Sequence, residues 1–197
     1  MRAPLSAVCV YAGSNPGRDP AFADAARDLG SLLAGRGIEV VYGGGRVGLM
    51  GILADAALAA GGQVTGVIPQ SLVDKEISHE GLSELVVVET MHQRKLAMAD
   101  RAQAFISLPG GVGTLEELSE ALTWTQLGLH DKPVGLLDVN GFFGRLLGFL
   151  DDAVDSGFIR PVHRQILQTS DDAAVLLDQI AAWEPTPTHK WMEFDDK

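Results

Sequence analysis

The chain has 197 residues and a formal net charge of −11, from 26 acidic and 15 basic side chains. This length suits one domain that can bury a large core. The acidic balance excludes a non-specific binder of nucleic acids or anionic membranes, because both require a basic surface on the protein. The single cysteine, Cys9, excludes an intrachain disulfide and a zinc site built from cysteines.

No run reaches about 18 apolar residues, so no membrane span is predicted. The first apolar run is followed at once by the turn-forming sequence G-S-N-P-G at residues 13–17, which favours a β-strand over a signal peptide. Together with the lone cysteine, this pattern predicts a cytoplasmic protein.

Short runs rich in Val, Ile and Leu alternate with longer windows of helical periodicity. The predicted strands are Ser6–Ala12, Ile38–Tyr42, Gln63–Ile68, Glu84–Glu89, Ala104–Leu108 and Pro133–Asp138. The predicted helices are Pro20–Ala34, Leu49–Ala60, Met91–Ala102, Thr114–Leu127, Gly141–Ser156 and Asp171–Trp183. Most strand runs are continuously apolar, which is typical of strands buried on both faces.

This alternation predicts an α/β fold, a single-domain, Rossmann-like, doubly wound parallel sheet with helices on both faces. We expect residues 1–183 to form one nucleotide-binding domain. Residues 184–197, with two prolines and several charges, are expected to form a loose C-terminal tail. Ligands of such sheets bind beyond the carboxyl ends of the strands, so the site is expected in the strand-to-helix loops.

The first glycine loop, residues 42–51, contains the pattern G-x-G-x-x-G at Gly43, Gly45 and Gly48. This pattern is typical of dinucleotide-binding loops. The next predicted strand ends without the acidic residue that would hold a ribose hydroxyl, which argues against a dinucleotide. Two interpretations stay open, namely a tight structural turn and close packing of the backbone against a phosphate or sugar.

The second glycine loop, residues 109–113, precedes a helix predicted to begin at Thr114. Its glycines let the backbone approach an anion. Thr114 is the predicted N-cap residue of this helix. The free N–H groups at the start of the helix would bind a phosphate. Glu116 and Glu117 follow in what the sequence predicts to be the first turn, with Leu115 and Leu118 facing the core. Such acids commonly offset the helix dipole, but a carboxylate beside a bound phosphate is repelled unless it has a task of its own.

Arg94 and Lys95 lie near the start of the helix predicted at Met91–Ala102. Two cations at a helix N-terminus oppose the dipole preference, and such a local conflict indicates function. Arg94 can hold a phosphate or carboxylate in a planar fork, and Lys95 can do so as a point charge. The alternative is a solvated pair on a surface helix. The five histidines show no metal-binding spacing, so no metal site is predicted.

At these motifs the chain resembles the LONELY GUY (LOG) family of cytokinin riboside 5′-monophosphate phosphoribohydrolases, formerly mislabelled as possible lysine decarboxylases. Residues 109–117 match the family's P-G-G-x-G-T-x-x-E signature. The match extends to residues 42–45, 48–51, 91–95, 123–128 and 130–133, and covers most of the chain from Ser6 to about Leu167.

The resemblance implies hydrolysis of the N-glycosidic bond of an N6-modified AMP, such as isopentenyladenosine monophosphate, giving free base and ribose 5-phosphate without a cofactor. Arg94 and Glu117 match the family's catalytic positions. The expected substrate-binding residues are Gly44, Gly45, Glu76, Lys95, Gly111, Val112, Gly113, Thr114, Leu115, Glu116 and Thr123. The resemblance also implies a homodimer with a shared site, in which Trp124 and segment 123–130 belong to the interface.

The chain departs from the plant pattern around residues 78–82, where His79-Glu80-Gly81 replaces a T-G-E-T-V stretch. This departure leaves the preference between AMP and N6-modified monophosphates open. Two other function classes stay open on the residues alone. One is a non-catalytic carrier of a nucleotide or a molybdenum-cofactor-type ligand. The other is a pyridoxal-phosphate decarboxylase, for which Lys95 is the only lysine near the inferred site.

Overall fold

The structure is a computed structural model that describes residues 5–73 and 78–185. Seven strands form one sheet. They are β1 (Ala7–Tyr11), β2 (Glu39–Tyr42), β3 (Val64–Pro69), β4 (Glu84–Val88), β5 (Ala104–Ser107), β6 (Val134–Leu137) and β7 (Leu167–Ser170). Their order is β4-β3-β2-β1-β5-β6-β7, and every neighbouring pair is parallel.

The helices between the strands are listed here in chain order. They are α1 (Pro20–Gly35), α2 (Gly48–Ala59), α3 (Gln70–Val73), α4 (Met91–Arg101), α5 (Val112–Leu127), α6 (Gly144–Asp155), α7 (Pro161–Arg164) and α8 (Ala173–Ala182). A short 3₁₀ turn at Val139–Gly141 precedes α6. None of the helices in the described ranges is long and apolar enough to cross a membrane.

The sheet separates two hydrophobic cores. Helices α1, α2 and α8 cover one face, and α4, α5 and α6 cover the other. Residues alternate between these cores along the central strand, since Val8 and Val10 belong to the first core and Cys9 and Tyr11 to the second. The predicted α/β fold with a doubly wound parallel sheet is confirmed.

The differences from prediction lie at the edges of the sheet. Strand β7 was not predicted, because its four residues end in Gln-Thr-Ser and are only half-buried after Leu167. Strand β4 carries an apolar Leu-Val-Val-Val run, a pattern typical of strands buried on both faces, but it is the opposite edge strand and three of its five residues are exposed. Continuous apolar runs therefore identified six of the seven strands, but not which strands lie at the edges of the sheet.

The strand order places the switch point of the sheet at β1 and β5. Strands β2 to β4 extend to one side of β1, and strands β5 to β7 extend to the other. The loops that follow β1 and β5 meet there, and the Gly13 N–H donates to the Pro109 carbonyl at 3.1 Å. Crevices at such switch points are the usual ligand sites of doubly wound sheets, and the second glycine loop forms one wall of this crevice.

Candidate active site

The N-terminus of α5 carries no side-chain cap. Gly111 is the N-cap residue, the helix begins at Val112, and no side chain of the described residues accepts from its first N–H groups. The predicted N-cap at Thr114 is therefore wrong, because Thr114 lies within the first turn. It also follows that Glu116 and Glu117 lie in the second turn. Uncapped N–H groups at a helix N-terminus suit an anion.

The space in front of this N-terminus is open. A Cβ at Gly111 or Gly113 would meet no atom within 4 Å, and Val112 is 84% exposed. Gly110 differs, because a Cβ there would collide with the Thr114 hydroxyl group. Thr114 is buried, so Gly110 lets the loop fold back over it. The structure thus leaves the predicted phosphate-binding backbone accessible.

Arg94 is a buried cation on α4, with 8% of the residue exposed. Its Nε donates to the Val67 carbonyl of β3 at 3.2 Å, and its Nη1 lies 3.7 Å from the Met91 sulfur. A Cβ at Gly43 would collide with its guanidinium group. The guanidinium is therefore held between the carboxyl end of β3 and the first glycine loop, and it is not the solvated surface group considered as the alternative.

Glu117 lies close enough to Arg94 for the two charges to interact. Burial raises the pKa of Glu117 from 4.5 to about 7, the charge of Arg94 opposes this rise, and Glu116 adds to it. Among the described residues no hydrogen bond to its carboxylate is found. A carboxyl group that titrates near neutral pH beside a buried arginine can act as a base, an acid or a stabiliser of positive charge.

Lys95 is buried against the neighbouring helix. Its Nζ donates to Glu116 Oε1 at 2.6 Å and to Glu120 Oε1 at 3.0 Å. Burial lowers the pKa of Lys95, but the hydrogen bonds and charges of Glu116 and Glu120 together raise it above its usual value. Lys95 and Glu116 thus hold α4 against α5. Contact of either residue with the substrate stays a prediction, and the substrate would have to compete with this ion pair.

The other predicted site residues lie in different places. Leu118 is buried as expected, but Leu115 is 37% exposed, so its expected core position is wrong. Gly44 and Gly45 lie next to Gly43 in the first glycine loop. Glu76 and the C-terminal tail from residue 186 onward lie outside the described residues.

Thr123 is not brought to Arg94 and Glu117 within one chain. It lies six residues after Glu117, which places it about 9 Å further along α5 and on a different face. Its hydroxyl donates to the Ser119 carbonyl at 2.7 Å. Together with Leu150 and Ile159, Thr123 lines a separate cavity of about 170 Å³. A contact between Thr123 and the substrate stays a prediction.

Comparison with known proteins decides the family. Residues 50–180 match the family described as "Possible lysine decarboxylase". The cytokinin riboside 5′-monophosphate phosphoribohydrolase LOG5 of Arabidopsis thaliana is 49% identical over 178 residues, which cover 90% of this chain and 78% of that protein. The chain belongs to the LOG family. LOG7 of the same plant is 49% identical over 189 residues, which cover 96% of this chain and 84% of that protein.

The LOG-family chain also shares its fold with a solved carrier protein. The molybdenum cofactor carrier protein MCP of Chlamydomonas reinhardtii superposes with a TM-score of 0.66 at 22% identity, covering 89% of this chain and 95% of that one. At this identity the likeness shows the fold alone.

Two residues of this LOG-family site were missed by sequence reasoning. Glu120 shares Lys95 with Glu116, and their i, i+4 spacing on α5 is the signal that would have indicated a common cation. Gly43 gives room to Arg94, but no local pattern shows that these two residues meet. Among the described residues no group of three or more His, Cys, Asp or Glu side chains could hold a metal ion.

Proposed function

We propose that this chain hydrolyses the N-glycosidic bond of adenosine 5′-monophosphate or an N6-modified form of it, releasing the free base and ribose 5-phosphate. The observation that carries the proposal is the half-buried Glu117 carboxyl group, which lies close enough to Arg94 for their charges to interact and whose pKa desolvation raises to about 7. The curated relatives at 49% identity bear the name of this activity, whereas the likeness to the carrier is limited to the fold.

The α5 N-terminus provides the phosphate site in this proposal. The N–H groups of Val112, Gly113 and Thr114 point along the helix axis toward the open space, and the helix dipole favours an anion there. Glu117 lies three residues after Thr114, which is about 4.5 Å further along the axis. A bound 5′-phosphate therefore places the ribose, and not the phosphate, beside Glu117.

Glu117 acts on the reacting sugar. When the C1′–N9 bond breaks, its electron pair leaves with the base and positive charge develops on the ribose. The ionised carboxylate stabilises this charge and takes a proton from the water that attacks C1′. The departing base takes up one proton, so the proton lost by water balances the one that the base gains. A pKa near 7 makes the carboxylate basic enough for the second task while leaving it largely ionised just above neutral pH.

Arg94 keeps the substrate in place. Its buried guanidinium is fixed by the Val67 carbonyl and carries N–H groups that can bind a phosphate or ribose oxygen. Because Arg94 fixes the ribose relative to Glu117, part of the substrate's binding energy is used to hold the reacting groups in the reactive orientation. Its positive charge also lowers the pKa of Glu117, which keeps that carboxylate available for the reaction.

The functional unit in this proposal is a homodimer with a shared site. Large apolar side chains are exposed on α6 and just after it, with Phe149 65% and Phe158 87% exposed. Such a surface suits a protein interface. A second copy docked there would cover the cavity lined by Thr123 and bring residues 123–130 to the interface. Analytical ultracentrifugation measures this dimer directly.

The free, buried Cys9 suits a reducing compartment, and we propose that the protein is cytoplasmic.

The deciding experiment compares wild type with Glu117→Gln, using product chromatography on AMP, isopentenyladenosine monophosphate and other nucleoside monophosphates. We expect Glu117→Gln to release base about 10²–10⁴-fold more slowly. In wild type, kcat/KM is expected to rise with pH through about 7, as Glu117 ionises.

The matched control is Glu184→Gln, the same chemical change at an exposed position, which should leave the rate unchanged. Equal rates for wild type and Glu117→Gln contradict the catalytic assignment. Tight nucleotide binding without any base release in the wild type favours the carrier instead.

A further inference from the structure

A short antiparallel bridge ties the first glycine loop to the segment of residues 78–82. Gly45 pairs with Ser78 across this bridge, and the His79 N–H donates to the Gly44 carbonyl at 2.9 Å. This is the segment in which the chain departs from the plant pattern. A chain-specific sequence thus lies against the loop whose glycines border the site.

The His79 side chain fixes this segment to helix α2. Its Nε2 lies 2.9 Å from Asp55 Oδ1, and its Nδ1 accepts the Gly81 N–H at 3.0 Å. Because Nδ1 is an acceptor, a neutral ring carries its proton on Nε2 and donates it to Asp55. The His79 side chain is only 12% exposed, whereas that of Asp55 is 72% exposed. The ring therefore ties α2 to the 78–82 segment, and the backbone N–H of His79 ties that segment to the first glycine loop.

The loop itself is held tightly against strand β3. A Cβ at Gly66 would lie 2.7 Å from the Gly44 Cα and 2.5 Å from Leu82 Cδ1. Gly44 has a φ of 72°, which glycine adopts without strain. The backbone of the first glycine loop is thus confined between β3 and segment 78–82, so a movement of that segment changes the position of the loop.

The same loop backbone faces Arg94. The Gly43 Cα lies so close to the guanidinium that any Cβ would collide with it, and Arg94 Nε is bound to Val67 on β3. We propose that His79 is a positioning residue, which holds the first glycine loop against the Arg94 guanidinium through its ties to Asp55 and Gly44. The inference rests on the proposed function, in which Arg94 acts beside Glu117.

His79→Ala tests the positioning role in base release from AMP. We expect kcat to fall roughly tenfold, because small displacements of a catalytic group are costly. We also expect the rise of kcat/KM with pH to move to higher pH, since an Arg94 that has shifted away lowers the pKa of Glu117 less. The other charged groups that act on Glu117, namely Lys95, Glu116 and Glu120, are unchanged in this variant.

His79→Gln provides the rescue, because its amide nitrogen can replace Nε2 as the donor to Asp55, and it should restore most of the rate. Asp55→Ala should reproduce the loss of rate, and it replaces His79→Ala in the comparison if His79→Ala does not fold. The matched control is Glu80→Ala, an exposed neighbour in the same segment, which should keep the wild-type rate and pH profile.

A second measurement needs no activity. The Arg94 Nε–H, which is buried and bound to Val67, should give a slowly exchanging NMR signal, assigned by its absence in Arg94→Lys. In His79→Ala its exchange should become at least roughly tenfold faster, because the loop no longer confines the guanidinium. A wild type that releases no base refutes the proposed function but leaves this test intact. An unchanged Arg94 signal in His79→Ala, or an equal rate loss in Glu80→Ala, overturns the positioning role.

Discussion

In the first glycine loop, the glycines make room for other parts of the same chain. At three positions an added Cβ would collide with a neighbour: at Gly43 with the Arg94 side chain, at Gly48 with the backbone of Ser14 and Asn15, and at Gly51 with the Arg46 carbonyl. Internal packing therefore explains two of the three glycines of the G-x-G-x-x-G pattern, Gly43 and Gly48, without a dinucleotide.

The second glycine loop has a similar composition, but its glycines have different neighbours. Gly111 and Gly113 face open space, and the helix N-terminus behind them is uncapped. Gly43 and Gly48 of the first loop serve packing, as Gly110 does in the second, whereas Gly111 and Gly113 leave the helix N-terminus accessible. What an added Cβ would meet, rather than the spacing of the glycines, distinguishes a loop that supports a site from a loop that forms one.

Among substitutions of the loop glycines, the largest expected effect comes from Gly43→Ala in the first loop. The new methyl group must displace the Arg94 guanidinium or the loop, so we expect base release to fall roughly 10²-fold and the melting temperature to drop. Gly35→Ala is the control, because its Cβ also replaces a hydrogen but meets nothing within 4 Å. Wild-type kinetics for Gly43→Ala would show that the first loop does not determine the position of Arg94.

The sequence predicted the parts of this comparison that depend on local pattern. The strands before both loops are short apolar runs, and both loops were expected at the carboxyl ends of strands. The partners of the side chains could not be predicted, because they depend on which helices pack together. Lys95 was expected at a phosphate, and only the adjacency of α4 and α5 shows that Glu116 and Glu120 neutralise it.

The next effect is on the free energy of unfolding, and it comes from the Glu117 carboxyl group in the second turn of α5, just after the second glycine loop. Raising its pKa from 4.5 to about 7 makes ionisation of the folded protein unfavourable, by at most roughly 3 kcal/mol. The folded state binds this proton more tightly than the unfolded state does, so the penalty is absent below about pH 4.5, grows from there to about pH 7, and is complete above it.

Glu117→Gln removes this penalty, so we expect the inactive variant to be more stable than wild type at pH 8 and equally stable at pH 4. Urea unfolding at the two pH values measures the difference, with Glu184→Gln as the control. A stability gain of the same size at pH 4 would mean that the carboxylate charge is not its cause.

The smallest expected effect comes from Gly113→Ala in the second loop. Alanine favours the helix, so the free energy of unfolding should stay the same or rise by about 0.5–1 kcal/mol. The methyl group lies in the open space proposed for the phosphate, so KM should rise roughly tenfold through lost phosphate contacts. Steady-state kinetics and thermal unfolding on one sample separate the two outcomes. An unchanged KM would place the phosphate elsewhere.

The ion pairs of Lys95 have a further consequence for the approach of a substrate. Because Glu116 and Glu120 neutralise this cation, the proposed phosphate site depends chiefly on oriented N–H dipoles, whose attraction is short-ranged. A nucleotide dianion must first cross the long-range field of a protein with a net charge of −11, which repels it. Salt screens that repulsion over about 10 Å at 0.1 M while leaving the N–H groups almost unaffected. Encounter between this enzyme and its substrate therefore becomes faster, not slower, as ionic strength rises.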